Sequence, residues 1–218
     1  MKIALINGSP KREDSASGLI LKIFKDFVAG DENEIYELHF CQPQLKKEEV
    51  AQLTDCDVLI FAFPLYVDGI PSHLLHCLRQ LEWAFTAQAA KEIMVYPMVN
   101  CGFYEDVHNE LAIEMMENWT VRAGLKWGQG LAIGGGGMLS ILKRIPLGHG
   151  PFKKLEAVFK KLAHHVLNRS SGETIYITPA FPRFLYKLLA EVGWRRSIKA
   201  NGLTRKDLFL RVGRGPRP

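Results

Sequence analysis

Hydroxyl and basic side chains are concentrated in the segment from Asn7 to Gly18, which joins a short apolar run to a helical pattern. The run Lys2–Asn7 predicts a buried strand, and the apolar spacing after Ser15 predicts a helix. Such a loop directs backbone N–H groups and a helix N-terminus at one point, which suits a phosphate group. The G-x-x-x-x-G-K-[ST] and G-x-G-x-x-G spacings of other nucleotide-binding loops are absent. The alternative is an ordinary helix start with Ser15 or Ser17 as the N-cap.

Two later strand ends combine small, aromatic and polar residues. One is the segment Pro64–Pro71, where two prolines and a glycine restrict the backbone beside Tyr66. This arrangement suits stacking of a planar ligand, although Tyr66 could instead be a core residue. The other is the segment Asn100–Glu105, whose backbone could hydrogen-bond the edge of a heterocycle.

The elements between these loops alternate between strands and helices. Strands are predicted at 2–7, 34–40, 57–63, 92–99 and 126–133, and helices at 15–29, 46–53, 72–85, 106–123 and 152–167. The strands are continuous apolar runs, which is typical of a parallel sheet covered by helices on both faces. Residues 173–177 could add a small strand. Ligands of such sheets bind at the carboxyl ends of the strands, where the three loops lie.

Charge divides the chain unevenly. A length of 218 residues suits one domain, 1–178, followed by a basic extension, 179–218, that is not an independent domain. The extension carries a net charge of +8 and the rest −3, so the global pI near 9.0 does not predict nucleic-acid binding. Its apolar stripe from Phe181 to Val192 predicts an amphipathic helix. We expect it to pack on the body, ahead of covering a partner's active site or lying on an anionic membrane.

Several protein classes are excluded by composition. A hydrophobic fraction of 47% with 23% charged residues is that of a globular protein. The apolar runs are too short to cross a bilayer, and we expect no signal peptide, no membrane association and a cytoplasmic location. The four cysteines form no C-x-x-C pair, and His164 and His165 are adjacent on a helix, so no disulfide scaffold or metal site is expected. The glycine run 134–137 predicts a flexible connection.

Together, the three loops resemble the flavodoxin-like NAD(P)H-dependent FMN reductase and quinone reductase family. The matching segments are Gly8–Lys11 with Ser15 and Ser17, then Phe63–Pro71, then Asn100–Glu105, in the family's order over residues 1 to about 170. The resemblance implies an α/β flavodoxin-like three-layer sandwich, with a five-stranded parallel sheet in the order 2-1-3-4-5 and FMN across its carboxyl edge.

The resemblance also implies a site and a reaction. The FMN phosphate would be bound by Ser9, Pro10, Lys11, Arg12, Ser15 and Ser17, and the flavin ring would contact Pro64, Leu65, Tyr66, Val67, Asn100, Cys101, Gly102, Phe103 and Glu105. Flavin N5 would accept a hydride from NADPH or NADH, so no side chain is expected to act as a general acid or base.

The implied acceptor is a quinone, a nitro or azo compound, or free flavin, and the implied assembly is a homodimer. Two alternatives remain, a flavodoxin-type electron carrier and a flavin-free α/β binding protein. The Ser-Pro-Lys form of the first loop and the basic net charge favour the enzyme over the carrier.

Overall fold

A parallel sheet lies at the centre of residues 1–180. The structure is a computed structural model that describes residues 1–87, 91–204, 206 and 207. The strands of the sheet are β1 Lys2–Asn7, β2 Glu34–His39, β3 Val58–Pro64, β4 Met94–Asn100, β5 Lys126–Trp127, β6 Leu131–Ile133 and β7 Ile175–Ile177. Their order is β2-β1-β3-β4-β6-β7, with β5 paired to β4, and every pairing is parallel.

Helices cover both faces of this sheet. One face carries α1 Ala16–Val28 and α5 Leu155–Leu167; the other carries α2 Lys47–Thr54, α3 Ser72–Thr86 and α4 Glu110–Arg122. Short 3-10 helices span Asp106–Asn109, Gly136–Lys143 and Gly150–Phe152. The expected three-layer sandwich is therefore confirmed.

Aromatic contacts pack the helical layers on both faces of the sheet. Phe61 of β3 meets Trp119 of α4 edge-on, with ring centroids 5.7 Å apart. On the opposite face, Phe24 of α1 meets Phe159 of α5 edge-on at 5.2 Å. Because β3 and β4 are buried on both faces, their side chains are mostly apolar rather than alternating, with Tyr96 and the terminal Asn100 of β4 as the polar exceptions.

The expected five strands differ from the structure at the end of the sheet. The run 126–133 was predicted as one strand, but it divides into β5 and β6 at Gly128–Gly130. A Cβ atom at Gly128 would overlap the ring of Tyr96, so the backbone passes directly over that ring. The small strand suggested at 173–177 forms as β7, and it pairs with β6 at the edge.

Residues 181–218 form a second compact unit. It contains α6 Arg183–Ala200, which has no buried residue and leaves Phe184 and Trp194 each 74% exposed. Arg205 and the Arg-rich end at 208–218 lie outside the described residues. Within the described residues, no helix is long and apolar enough to cross a membrane.

Candidate functional site

The loop after β1 is organised by two polar side chains. Ser15 is the N-cap of α1, and its Oγ accepts a hydrogen bond from the Gly18 N–H at 3.0 Å. Asn7 Nδ2 donates to the same Oγ at 3.2 Å, and Asn7 Oδ1 accepts from the Ser9 N–H at 3.1 Å. Asn7 therefore ties the beginning of the loop to the helix start, and the capping role suggested for Ser15 is confirmed.

The same loop presents a row of unused donors. Within the described chain, the backbone N–H groups of residues 12–17 have no hydrogen-bond acceptor, whereas the flanking N–H groups of Lys11 and Gly18 bond to serine hydroxyls. Lys11 and Arg12 are exposed and form no ion pair with another described residue. This donor set, with the N-terminus of α1, fits a phosphate group.

One acidic side chain of the loop is already neutralised. The carboxylate of Asp14 lies 2.6 Å from Nζ of Lys143, which comes from the 3-10 helix after β6. The hydrogen bond from Lys143 lowers the pKa of Asp14 below its usual value. The pair removes a negative charge from the neighbourhood of the free N–H groups and links the loop to residues 136–143.

Asn100 joins three of the strand-end loops at one buried point. Its Nδ2 donates to Oγ of Ser17, in the first turn of α1, at 2.9 Å, and to the carbonyl of Phe63, at the end of β3, at 3.1 Å. The backbone carbonyl of Asn100 accepts a hydrogen bond from the N–H of Leu65 at 2.8 Å. Ser17 and Asn100 are both almost completely buried, so these two predicted ligand contacts act inside the protein as links between the loops.

The loop after β3 ends in a tight turn. Tyr66 and Gly69 exchange backbone hydrogen bonds of 3.0 and 3.1 Å, with Val67 and Asp68 between them at φ 49° and 56°. Left-handed backbone is unfavourable for a β-branched residue, and Val67 is fully exposed, so no packing of its side chain compensates. Such strain is typical of loops held in place for a function. Tyr66 beside it is 45% exposed, and Pro64 and Leu65 are partly buried.

The loop after β4 separates a buried thiol from an exposed ring. Cys101 is buried and contacts Asn109 Nδ2 through its sulfur at 3.4 Å, and burial raises the pKa of its thiol. A neutral, enclosed thiol is a packing residue rather than a nucleophile. Gly102 and Phe103 are exposed, and the ring of Phe103 lies 4.3 Å from the imidazole of His108. His108 also lies 3.9 Å from the carboxylate of Glu105.

The glycine run after β6 packs against this loop. The expectation of a flexible connection at 134–137 is wrong, because Gly134 and Gly135 are buried. The N–H groups of Gly135 and Gly136 donate to the carbonyls of Phe103 and Cys101 at 2.5 and 2.6 Å. A Cβ at Gly134 would overlap the backbone of Tyr104, so glycine permits the close approach of the two loops.

Several residues that hold the loops of the candidate site in place were not predicted from the sequence. They are Asn7, Asn109 and Lys143, with His39, whose Nε2 lies 2.8 Å from the carbonyl of Ser9. The role of Asn7 could have been suspected from the sequence, since it is a polar residue that ends an apolar strand directly before Gly8. Lys143 had no such signal, because its partner Asp14 is 129 residues away in the sequence.

A groove of about 990 Å³ extends from the first loop along α1. Arg12 and Ser15 line its beginning, and Lys22 and Lys143 contribute further positive charge. Asp26 and Glu37 line it too, so the charge of the groove is mixed.

Comparison with known proteins agrees with this geometry. A family model described as flavodoxin-like fold matches residues 1–78. The chain has a flavodoxin-like fold. The fold implied by the resemblance of the three loops is thus confirmed, and it is shared with solved structures beyond the matched segment.

Three solved structures illustrate the similarity of this flavodoxin-like protein to known reductases. An NADH:FMN oxidoreductase (EMOB) in its apo form has a TM-score of 0.60 at 19% identity, covering 79% of this chain and 91% of that one. An NADPH-quinone reductase from P. pentosaceus has a TM-score of 0.53 at 14% identity, covering 76% and 97%. An FMN-dependent NADH-azoreductase from Bacillus anthracis, in complex with FMN, has a TM-score of 0.53 at 14% identity, covering 78% and 100%. At these identities the likeness shows the fold alone, and no curated protein sequence matches the chain.

Proposed function

We propose that this flavodoxin-like protein is an FMN-dependent oxidoreductase that uses NADH or NADPH to reduce a small-molecule acceptor. The acceptor classes are quinones, nitro or azo compounds, and free flavin. The observation that carries the proposal is the meeting of the loops after β1, β3 and β4 at Asn100, beside a row of free backbone donors. Solved structures of the same fold described as an NADH:FMN oxidoreductase, an NADPH-quinone reductase and an NADH-azoreductase support it.

The first loop would hold the FMN phosphate. The N–H groups of residues 12–17 would donate to its oxygens, and the exposed cations of Lys11 and Arg12 would balance its charge. Ser9 and Ser15 would contribute less than their hydroxyls suggest, because Ser15 Oγ is the N-cap acceptor and Ser9 Oγ accepts from Lys11 N–H at 3.3 Å. Each hydroxyl retains one proton to donate.

The loops after β3 and β4 would flank the flavin ring. Tyr66 and Phe103 are half exposed, at 45% and 51%, and so offer aromatic surface to a planar ligand. Bound FMN supplies the hydride acceptor of the reaction at N5. The protein positions the ring with backbone and apolar contacts, and Cys101 stays protonated and takes no part.

The charge and the cysteines support an enzyme of the cytoplasm over a carrier. Residues 1–178 have a net charge of only −3, whereas a carrier that docks through electrostatics benefits from a strong single-sign field. All four cysteines are free, which suits a reducing compartment. The proposal therefore includes a cytoplasmic location.

An anaerobic titration tests the proposed reaction. The purified chain is mixed with FMN, and the absorbance from 300 to 550 nm is followed as NADH or NADPH is added. Bleaching of protein-bound flavin bands faster than for free FMN supports the reductase. Flavin that binds but is not reduced indicates a carrier, and the absence of flavin uptake contradicts the proposal.

The phosphate assignment has a separate test. Replacing Lys11 and Arg12 together by Gln removes two exposed charges without touching the core, so the dissociation constant for FMN is expected to rise about tenfold. Riboflavin, which lacks the phosphate, should bind equally well to both proteins.

The matched control for this test replaces another pair of neighbouring exposed cations. The double variant Lys153→Gln and Lys154→Gln lies at the start of α5 and should leave FMN affinity unchanged. Equal FMN affinity of the Lys11/Arg12 variant and the parent would show that the phosphate binds elsewhere.

A further inference from the structure

The helix α6 carries an apolar stripe that stays unburied within the described part of the chain. The stripe consists of Phe184, Leu185, Leu188, Leu189 and Val192, which recur at three- and four-residue spacing and therefore share one side of the helix. Three of them, Phe184, Leu188 and Leu189, are 74%, 56% and 50% exposed. We refer to this surface as the α6 stripe. Adjacent apolar side chains left in water together indicate a surface that interacts.

The same side of α6 becomes basic toward the end of the helix. Arg195, Arg196 and Lys199 continue the spacing of the α6 stripe, so this side is apolar first and then positively charged. Arg195 is paired with Glu191 at 3.0 Å, whereas Arg196 and Lys199 form no ion pair with another described residue. Glu191 is the only carboxylate on α6, against five cations, and the segment 179–218 has a net charge of +8. One side of the helix thus combines exposed apolar area with unpaired positive charge.

A bilayer surface that contains anionic lipids fits both properties at once. In such a complex, apolar side chains enter the boundary between headgroups and acyl chains, and Lys and Arg side chains contact the anionic headgroups. A nucleic acid would bind the cations but would leave the aliphatic side chains in water. A second copy of α6 would either bring like charges together or place cations on apolar side chains. The charge and the apolar area together therefore favour the membrane surface.

From these observations we propose that α6 binds peripherally to anionic membrane surfaces, with the α6 stripe at the interface and Arg196 and Lys199 on the lipid headgroups. We expected no membrane association because the apolar runs are too short to cross a bilayer, but a helix that lies on the surface needs no such run. Trp194 is two residues from Val192, so it lies on the opposite side of the helix and stays in water. The inference goes beyond the proposed function and does not depend on it.

Sedimentation of the full chain with lipid vesicles tests the proposal. We expect the chain to sediment with vesicles of phosphatidylcholine and phosphatidylserine but not with vesicles of phosphatidylcholine alone, and added salt should weaken the binding. The double variant Leu188→Gln and Leu189→Gln should reduce partitioning onto the vesicles by about 30-fold, because it removes apolar contact. The double variant Arg196→Gln and Lys199→Gln should also reduce it, by about tenfold or more.

The matched control is Trp194→Gln, which removes a larger and 74% exposed apolar side chain from the opposite side of α6. It should leave partitioning onto the vesicles unchanged. Because α6 contains no buried residue, thermal melting of all three variants should match that of the parent. If the leucine variant does not fold, the Arg196/Lys199 variant decides by itself.

Three results with vesicles overturn the proposal. They are no binding of the parent to phosphatidylserine vesicles, equal binding to vesicles of phosphatidylcholine alone, and a loss in Trp194→Gln as large as that in the leucine variant. Binding of RNA but not of vesicles, unaffected by the leucine variant, would identify α6 as a nucleic-acid surface and overturn the proposal too.

Discussion

Replacement of Asn100 by alanine should separate the loops that form the candidate site. The side chain is 3% exposed, and its Nδ2 makes two hydrogen bonds, to Ser17 Oγ and to the Phe63 carbonyl. Removing the amide leaves both acceptors without that donor in a place that water does not reach. A net loss near 1 kcal/mol for each bond, with the desolvation of the orphaned groups, totals about 3 kcal/mol.

The loss can be measured as a change in melting temperature. For a chain of this size, 3 kcal/mol corresponds to a decrease of about 6–12 °C. Urea denaturation of the parent, Asn100→Ala, Ser17→Ala and the double variant forms a double-mutant cycle, in which the pair should couple by about 1 kcal/mol. Asn118→Ala, which truncates an exposed asparagine on α4, should change stability by less than about 0.5 kcal/mol.

FMN affinity provides the second readout for Asn100. Because the amide joins the loop after β1, the proposed phosphate site, to the ends of β3 and β4, the dissociation constant for FMN should rise in Asn100→Ala even below the melting transition. A loss of stability under 0.5 kcal/mol, or no coupling with Ser17, would refute the assignment of Asn100 as the link between these loops.

Two further predictions concern the packing of the loops and the response to pH. Gly134→Ala should destabilise the fold by about 1–3 kcal/mol, because the new methyl group overlaps the backbone of Tyr104. Gly102→Ala, whose methyl group would enter open space, should leave the stability unchanged. Urea denaturation measures both variants. Burial lowers the pKa of His73 below 6.5, so the unfolded chain takes up a proton that the folded chain does not. Stability should therefore fall as the pH decreases below about 6.5, by at most about 1.4 kcal/mol per pH unit for His73, until its folded-state pKa is passed. His73→Gln should reduce this dependence of stability on pH. The remaining slope is due to His165, whose pKa is also lowered by burial. An unchanged slope in His73→Gln would contradict the assignment of the pH dependence to His73.

The strands and helices were predictable because burial on two faces leaves a simple pattern. The run Val58–Phe63 is apolar at every position, and the structure places it at the centre of the sheet. The division of the predicted strand 126–133 was not predictable. It depends on the ring of Tyr96, which lies 32 residues before Gly128 in the sequence and meets it only through the fold.

The loops of the candidate site were found from residue types, but their internal roles were not. Hydroxyls in the first loop predicted an anion site, and the structure shows that Ser15 and Ser17 are largely used by the protein itself. The glycine run 134–137 lacks side chains, so nothing in it revealed that it packs on the loop after β4. Local patterns locate such loops, whereas contacts between them depend on the order of the strands.

The candidate phosphate site is built mainly from backbone, and this determines which substitutions it can tolerate. N–H groups of residues 12–17 are present whatever side chains stand there, provided that none is proline. Their direction depends instead on Asn7, Ser15 and Asn100, which hold the loop from the protein side. Substitutions at these three positions should therefore impair phosphate binding more than neutral changes at the exposed Glu13, although Glu13 lies within the loop. The donors come from the chain's path, and few side chains are needed to set that path.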